Sequence, residues 1–317
     1  MTPLRSMVCV GILGAHHIPV SGIMADEPSI RLMVDTDLDQ VFSLIDQENW
    51  GWEFHEIRRI FALDTRNSIV AEINGEIVGL ITLINFGKTA FIVHVIVKEG
   101  WRKKRLGARM MRDALQNLDS LDVDNVELHA MPDVAEFYTQ FGFKRVEEIS
   151  FFCKHPGTSG QQNTVDATSD AEFRLLDLEE TLSMSECQSR MMGFHESDFQ
   201  YAMKTDPPEY PVARLVGSSV TAMLIARKGS ELNPLGPWFM NHPDKKTARA
   251  MLRSAIARLP DRRTDVGIST SNELAKDIFL DEGFSLMTEG VVRVSRSARA
   301  VSPFPRELLA IGHLGVI

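Results

Sequence analysis

Val93-His94-Val95-Ile96-Val97-Lys98-Glu99-Gly100-Trp101-Arg102-Lys103-Lys104-Arg105-Leu106-Gly107-Ala108-Arg109-Met110-Met111 is the stretch from which the fold can be read. The apolar run Ala90 to Val97 has the continuous hydrophobicity of a strand covered on both faces. It enters a basic turn holding a glycine. The turn opens a helix over Arg105 to Leu118, with Leu106, Met110, Ala114 and Leu118 on one stripe. The first N–H groups of a helix lack intrahelical partners and carry positive partial charge. They suit a pyrophosphate, and Arg102, Lys103, Lys104 and Arg105 add formal charge. A solvated basic helix start is the competing reading of this segment alone.

Working outward, Ile30 to Val34 reads as a strand, Asp35 to Gln47 as a helix and Glu53 to Ala62 as a second, short helix. Ser68 to Ile73 and Glu76 to Asn85 are strands joined at Asn74-Gly75, a strong hairpin signal. After the basic turn and its helix come a strand at Val123 to Ala130, a helix at Asp133 to Phe141 and a strand at Phe143 to Cys153. The polar run Pro156 to Asn163 has two glycines and no apolar period, which makes a linker.

The second half then repeats this order. A strand at Phe173 to Leu176 precedes helices around Leu178 to Met191 and Ser197 to Lys204. A hairpin pairs Val212 to Val216 with Ser219 to Lys228, and a strand ends at Trp238-Phe239. A helix spans Lys245 to Leu259, a strand Asp265 to Ser269, a helix Asn272 to Asp281 and a strand Phe284 to Val294. Tyr138 to Phe143 is echoed by Phe279 to Phe284, an offset that suggests duplication. Leu308 to Ile311 is a candidate last strand closing the second sheet. The expected layout is an extension over 1–28 without fixed structure, a first domain over 29–154, a linker over 155–170 and a second domain over 171–317.

The net charge of -9 argues against a nucleic-acid partner, despite Lys103-Lys104-Arg105. No run of about 18 apolar residues is present, so no membrane helix is expected. Cys9, Cys153 and Cys187 are too few and too scattered for a disulfide framework or a zinc site. A reducing, cytoplasmic setting is the simple expectation, with a mitochondrial one less favoured by the Arg-poor N-terminus.

Two motifs in this order resemble the GNAT N-acetyltransferase superfamily. Arg102-Lys103-Lys104-Arg105-Leu106-Gly107 is similar to the family's Arg/Gln-x-x-Gly-x-Gly/Ala loop, with Arg105 in place of its first glycine. Tyr138 with Gly142-Phe143 resembles the family's tyrosine helix, with Met131 where its asparagine usually stands. The resemblance implies an α/β (α+β) mixed sheet and, for the whole chain, two tandem GNAT-like acyl-CoA N-acyltransferase domains. The second is degenerate: Asn241 to Ala248 holds no glycine, and Phe279 replaces the tyrosine, although Asn272 keeps the asparagine position.

What the resemblance implies chemically is direct transfer of an acetyl group from acetyl-CoA to a small-molecule amine or amino acid. No metal is implied. Backbone at Val95 and Val97 and the turn Arg102, Lys103, Lys104, Arg105, Leu106, Gly107 and Ala108 would hold the cofactor. Tyr138 would protonate the departing thiolate, since a phenol keeps its proton at neutral pH. His94, the ionisable residue of the apolar strand, is the candidate base, ahead of His129 and Glu99. Trp50 and Trp52 would face a cationic acceptor, with Glu48, Glu53 and His55 nearby in sequence. For Tyr138, His94 and both tryptophans, plain core packing is the alternative. A catalytically silent acyl-CoA sensor or scaffold is the second functional reading. Monomer and homodimer both stay open.

Overall fold

The structure, a computed structural model, describes residues 27–50, 52–157, 173–184, 196–205, 207–217, 219–229 and 231–311. The expected extension over 1–28 falls outside these residues except at its last two positions. So does most of the expected linker over 155–170. The chain divides into two compact units. The first runs up to Arg145 and takes in Val292–Arg299; the second comprises Val146–Val291 and the chain from Ala300. The sequence boundary near 154 follows chain order, whereas strand pairing puts residues 146–154 with the second unit and 292–299 with the first.

In the first unit β1 (Ser29–Leu32), β2 (Ile69–Ile73), β3 (Glu76–Asn85) and β4 (Thr89–Val97) pair antiparallel in that order. The β2–β3 turn has Asn74 at φ 52 and Gly75 at φ 80. Two central residues at positive φ make the type I′ turn that Asn-Gly favours. β5 (Asn125–Ala130) lies parallel to β4, but their ladder covers only Thr89–Phe91. Ile92–Val97 run on past it. On its other side β5 pairs antiparallel with the end of β12 (Ser285–Ser297), from Val292 opposite Ala130 to Ser297 opposite Asn125.

Among the described residues, the α-helices of this unit are α1 (Leu38–Asp46), α2 (Phe54–Leu63), α3 (Leu106–Ser120) and α4 (Pro132–Thr139). Met110, Met111, Ala114, Leu115 and Leu118 of α3 are buried against the sheet, as the apolar stripe requires. A Cβ on Gly79 would lie 2.9 Å from Met110 Sδ and 3.2 Å from the Ile96 carbonyl. Glycine at that point of β3 lets α3 approach closely, which fixes the helix start beside the end of β4.

The second unit repeats the order. β7 (Phe173–Leu175), β8 (Tyr210–Val216), β9 (Ser219–Ala226) and β10 (Leu232–Met240) pair antiparallel. β11 (Arg263–Ser269) lies parallel to β10, and β6 (Lys144–Lys154) pairs antiparallel with β11 over Ile149–Lys154. Among the described residues its helices are α5 (Leu178–Ser183), α6 (Glu196–Thr205), α7 (Lys245–Ile256) and α8 (Glu273–Asp281). Residues 185–191 of the expected Leu178–Met191 helix lie outside the described residues. α7 stops at Ile256 where the spacing suggests Leu259, because Pro260 has no N–H to bond the Ile256 carbonyl and restricts Leu259 before it. The expected final strand exists as β13 (Leu308–Ala310), but it pairs inside the sheet, with β10. Among the described residues no helix is long and apolar enough to cross a membrane. Of the cysteines, Cys153 falls among the described residues, buried and free.

Candidate functional site

The start of α3 is built by an unusual backbone. Arg105 is the N-cap at φ 63, ψ 8, and Lys103 stands at φ 67. Both are left-handed conformations that cost an L-residue about 1–2 kcal/mol. Arg105 makes no side-chain capping bond, and the first helical bond described is Arg109 N to Arg105 O at 3.0 Å. The N–H groups of Leu106, Gly107 and Ala108 precede it and so have no intrahelical acceptor.

These three residues line a cavity of about 260 Å³. Val95, Ile96 and Val97 of β4 form one wall; Arg105 to Ala108 form another; Trp101, Phe137, Gln140, Glu48 and Trp50 close the sides. Divergence of β5 from β4 beyond Phe91 is what leaves this stretch of β4 on a cavity wall. Arg102 and Lys103 bring charge to the rim. Arg102 is also an anchor: its Nε donates to the Val97 carbonyl at 2.7 Å and its guanidinium pairs with Glu48. Thus the basic turn is tied to β4 on one side and to the segment after α1 on the other. A Cβ on Gly107 would meet Val97 Cγ2 at 3.5 Å and Phe137 Cζ at 3.9 Å, ordinary contacts. Its φ is not positive. Glycine here therefore leaves space in the cavity and is not required by the backbone.

The expected cofactor residues come together, with one difference. Val95, Val97, Arg102, Lys103, Arg105, Leu106, Gly107 and Ala108 all line the cavity. Lys104 does not; its ammonium lies 4.8 Å from the Trp101 ring centroid. The left-handed turns on either side, at Lys103 and Arg105, send consecutive side chains in different directions.

The expected catalytic and acceptor residues are only partly gathered. Trp50 lines the cavity, and Trp52 does not. Both pack on His94: the Trp50 ring is stacked at 5.9 Å and 9°, and the Trp52 ring meets it edge-on at 4.9 Å and 78°. His94 sits behind Trp50 and is 1% exposed. Its Nδ1 is 2.6 Å from Thr82 Oγ1, while Nε2 is buried with no hydrogen-bond partner. Burial pushes its pKa down to about 3, so the ring is neutral. Tyr138 is fully buried among Phe137 and Phe143 and does not line the cavity; Phe137, its neighbour on α4, does. His129 is also buried, its pKa lowered to about 3 by desolvation and by the charge of Arg293. Glu99, in the short 3-10 turn Glu99–Trp101, and Glu53 and His55, which pair with each other at 3.0 Å, lie off the cavity.

Sequence reasoning missed Ile96, Trp101, Phe137 and Gln140 as wall residues, and it left Glu48 undistinguished from Glu53 and His55. Phe137 precedes Tyr138 on α4 and Gln140 is the C-cap of that helix, so both lie close to the tyrosine motif, but no local signal turns them toward the cavity. Nothing in the sequence singles out Glu48, whose role depends on the long-range pairing with Arg102. Among the described residues no group of three His, Cys, Asp or Glu side chains is placed to hold a metal ion.

Residues 39–153 match the acetyltransferase (GNAT) domain family. A Pyrococcus horikoshii protein assigned as an acetyltransferase is 16% identical in sequence. It superposes with a TM-score of 0.68 over 93% of this chain and 98% of that one. A GCN5-related N-acetyltransferase from Sphaerobacter thermophilus gives 0.62 at 14% identity, over 89% of this chain and 99% of that chain. A tandem GNAT protein from the clavulanic acid biosynthesis pathway gives 0.59 at 12% identity, over 87% and 100%. At these identities the likeness is one of fold, and it extends over both units. No curated protein matches the chain by sequence.

Proposed function

Taking residues 39–153 as a GNAT acetyltransferase domain, followed by a second unit of the same element order, we propose that this chain is an N-acetyltransferase. It transfers the acetyl group of acetyl-CoA to a primary amine of a small molecule or amino acid. The observation that carries this reading is the cavity between the free stretch of β4 and the uncapped start of α3. The pyrophosphate would accept hydrogen bonds from the N–H groups of Leu106, Gly107 and Ala108, with Lys103 and Arg105 adding charge. The pantetheine arm would lie along Val95 to Val97.

In the transfer step the amine nitrogen attacks the thioester carbonyl, and a β4 backbone N–H stabilises the oxyanion. The C–S bond then breaks, the thiolate takes a proton and the amide nitrogen loses one. In this reading Tyr138, buried against Phe137 and off the cavity, supplies the first proton through an intervening water. His94, which is covered by Trp50 and off the cavity, takes the second through water. At a pKa of about 3 it is a weak base, so its share of the rate is expected to be small. Trp50 gives the acceptor an aromatic wall, and Glu48 holds the Arg102 side of the loop.

The test is calorimetric titration of acetyl-CoA into the wild type and into Gly107→Glu, followed by thiol release with a panel of amines. Glutamate at this position puts a carboxylate where the pyrophosphate is expected. Binding in the micromolar range, about -8 kcal/mol at 1 μM, lost in Gly107→Glu with the fold intact by circular dichroism, supports the reading. A wild type that binds no acetyl-CoA sinks it.

A further inference from the structure

The second unit contains the same strand divergence as the first, and there it is filled. β11 pairs parallel with β10 only over Leu232–Leu235, as β5 pairs with β4 only over Thr89–Phe91. Beyond Leu235 the two strands part. β13 enters the gap antiparallel to β10, with Trp238 opposite Ala310 and Phe239 opposite Leu308. Met240 N donates to the Glu307 carbonyl at 2.9 Å. On its other side the segment reaches β11, where Ile311 N donates to the Gly267 carbonyl at 2.9 Å. Leu308, Leu309, Ala310 and Ile311 are all buried.

Two further features belong to this arrangement. Asn272, the N-cap of α8, donates from Nδ2 to the carbonyls of Leu308 at 3.1 Å and Arg306 at 3.2 Å, while its Oδ1 accepts from Ala275 N. Its counterpart in the first unit, Met131, has no such bonds to give. The start of α7 is also closed. Asp244 caps it by accepting from Thr247 N at 2.9 Å, and that contact helps hold its carboxyl below the usual range. A carboxylate seated there competes with any phosphate for the helix N–H groups, in contrast with Arg105 at the start of α3.

We propose that Glu307–Ile311 is a resident strand ligand that closes the second unit's counterpart of the cofactor cleft, so that each chain offers a single coenzyme A site, in the first unit. The closure stands on the pairing of β13; the single site rests on the function proposed above. A strand suits this position because a splayed parallel pair exposes main-chain N–H and C=O groups that must be met by something. Here the chain's own backbone meets them from both sides. Asn272, kept at the position where the first unit has Met131, is retained for holding the strand.

Hydrogen exchange with mass spectrometry on the full-length chain, together with calorimetric titration of coenzyme A, tests this. The expected results are amides of Met240 and Ile311 protected by at least about 100-fold relative to exposed amides, and one coenzyme A per chain. Asn272→Ala removes a contact to the strand at Leu308, one to Arg306 just before it, and a cap. It is expected to speed exchange of Leu308–Ile311 by about tenfold, with β4 amides unchanged. Leu309→Asp puts a charge into a buried site and is expected to eject the strand; if it fails to fold, the wild-type and Asn272→Ala exchange data still decide. Fast exchange of Met240 and Ile311, or two coenzyme A molecules per chain, overturns the proposal. Protected β13 amides with no coenzyme A bound would uphold the closure and overturn the proposed function.

Discussion

Replacing Arg293 by methionine isolates a buried charge beside the point where β4 and β5 diverge. Arg293 and Glu127 are each 1% exposed, and the guanidinium Nε and Nη2 donate to the two carboxylate oxygens at 2.8 and 2.9 Å. Methionine keeps much of the length and apolar bulk of arginine but strands the Glu127 carboxylate. Asn125 Nδ2, at 2.8 Å from Glu127 Oε1, cannot neutralise it. Leaving one charge of a buried pair uncompensated costs about 3–5 kcal/mol. For a unit of this size, a loss of about 1 kcal/mol lowers the melting temperature by about 2–4 °C, so a fall of about 6–20 °C is expected. Phe91 opposite Glu127 is the last rung of the β4–β5 ladder, so acetyl-CoA affinity should drop as well. The assay is urea unfolding of the wild type, Arg293→Met, Glu127→Gln and the double variant, read as a cycle. The double variant should recover at least about half of the single-variant loss, because a neutral amide beside methionine leaves no unpaired charge. An Arg293→Met loss below about 1 kcal/mol, or a double variant no better than Arg293→Met, would refute the reasoning.

Acid should destabilise the chain through its buried histidines. His94 and His129 have pKa values of about 3 in the fold against 6.5 without it, so the folded state binds fewer protons. Their contribution is full above pH 6.5 and is lost as pH falls toward 3, by about 2 kcal/mol each between pH 7 and pH 5. His94→Gln should remove its share of that drop in urea midpoints compared at the two pH values, and an unchanged drop would contradict the burial argument. At Arg105, φ 63 makes glycine and valine informative. Arg105→Gly should stay within about 0.5 kcal/mol of the wild type, as relieved strain offsets the entropy of the unfolded chain. Arg105→Val should lose about 1–2 kcal/mol by thermal melting, and a valine variant as stable as the wild type would mean the turn relaxes freely. If Tyr138 protonates the leaving thiolate, Tyr138→Phe lowers kcat by about 10²–10³ with KM and stability unchanged. An unaltered kcat would reduce Tyr138 to a core aromatic.

The order of elements was legible because each carries a local signal. Asn74-Gly75 marks a hairpin with the two positive-φ residues it needs. The α3 stripe of Leu106, Met110, Ala114 and Leu118 is the face that the sheet buries. The cavity wall was legible for the same reason, since a strand, a basic turn and a helix start lie within one short segment. What stayed hidden depends on partners far away in sequence. Glu48 matters through Arg102, and Arg293 through Glu127, and neither pairing has a local signature. Nor does periodicity tell that Phe137 faces the cavity while Tyr138 faces the core, because adjacent helical residues differ only in rotation about the axis. The domain boundary drawn near 154 was out of reach for a related reason. Strand β6 continues past Arg145 without a break in its pattern, and only pairing with β11 assigns its second half.

The two units show how one backbone plan can leave a cleft open or fill it without changing its element order. A parallel pair that splays exposes hydrogen-bonding groups on facing edges, and those groups need partners. In the first unit the gap leads to a helix start whose N–H groups are uncapped, in a turn bearing Arg102, Lys103 and Arg105. That combination favours a flexible anion-bearing ligand over a protein strand, because a strand would leave the positive helix start unanswered. In the second unit Asp244 already answers the helix start, so a phosphate would gain little there and meet a carboxylate. The gap is then served equally well by backbone, and β13 supplies it. On this argument the decisive difference between the units is the residue at the helix cap, Arg105 against Asp244. Asp244→Gly in an Asn272→Ala background is then the variant in which coenzyme A should begin to reach the second unit. A stoichiometry that remains at one per chain in that double variant, with Leu308–Ile311 exchanging freely, would show that cap and strand together are not what excludes the cofactor.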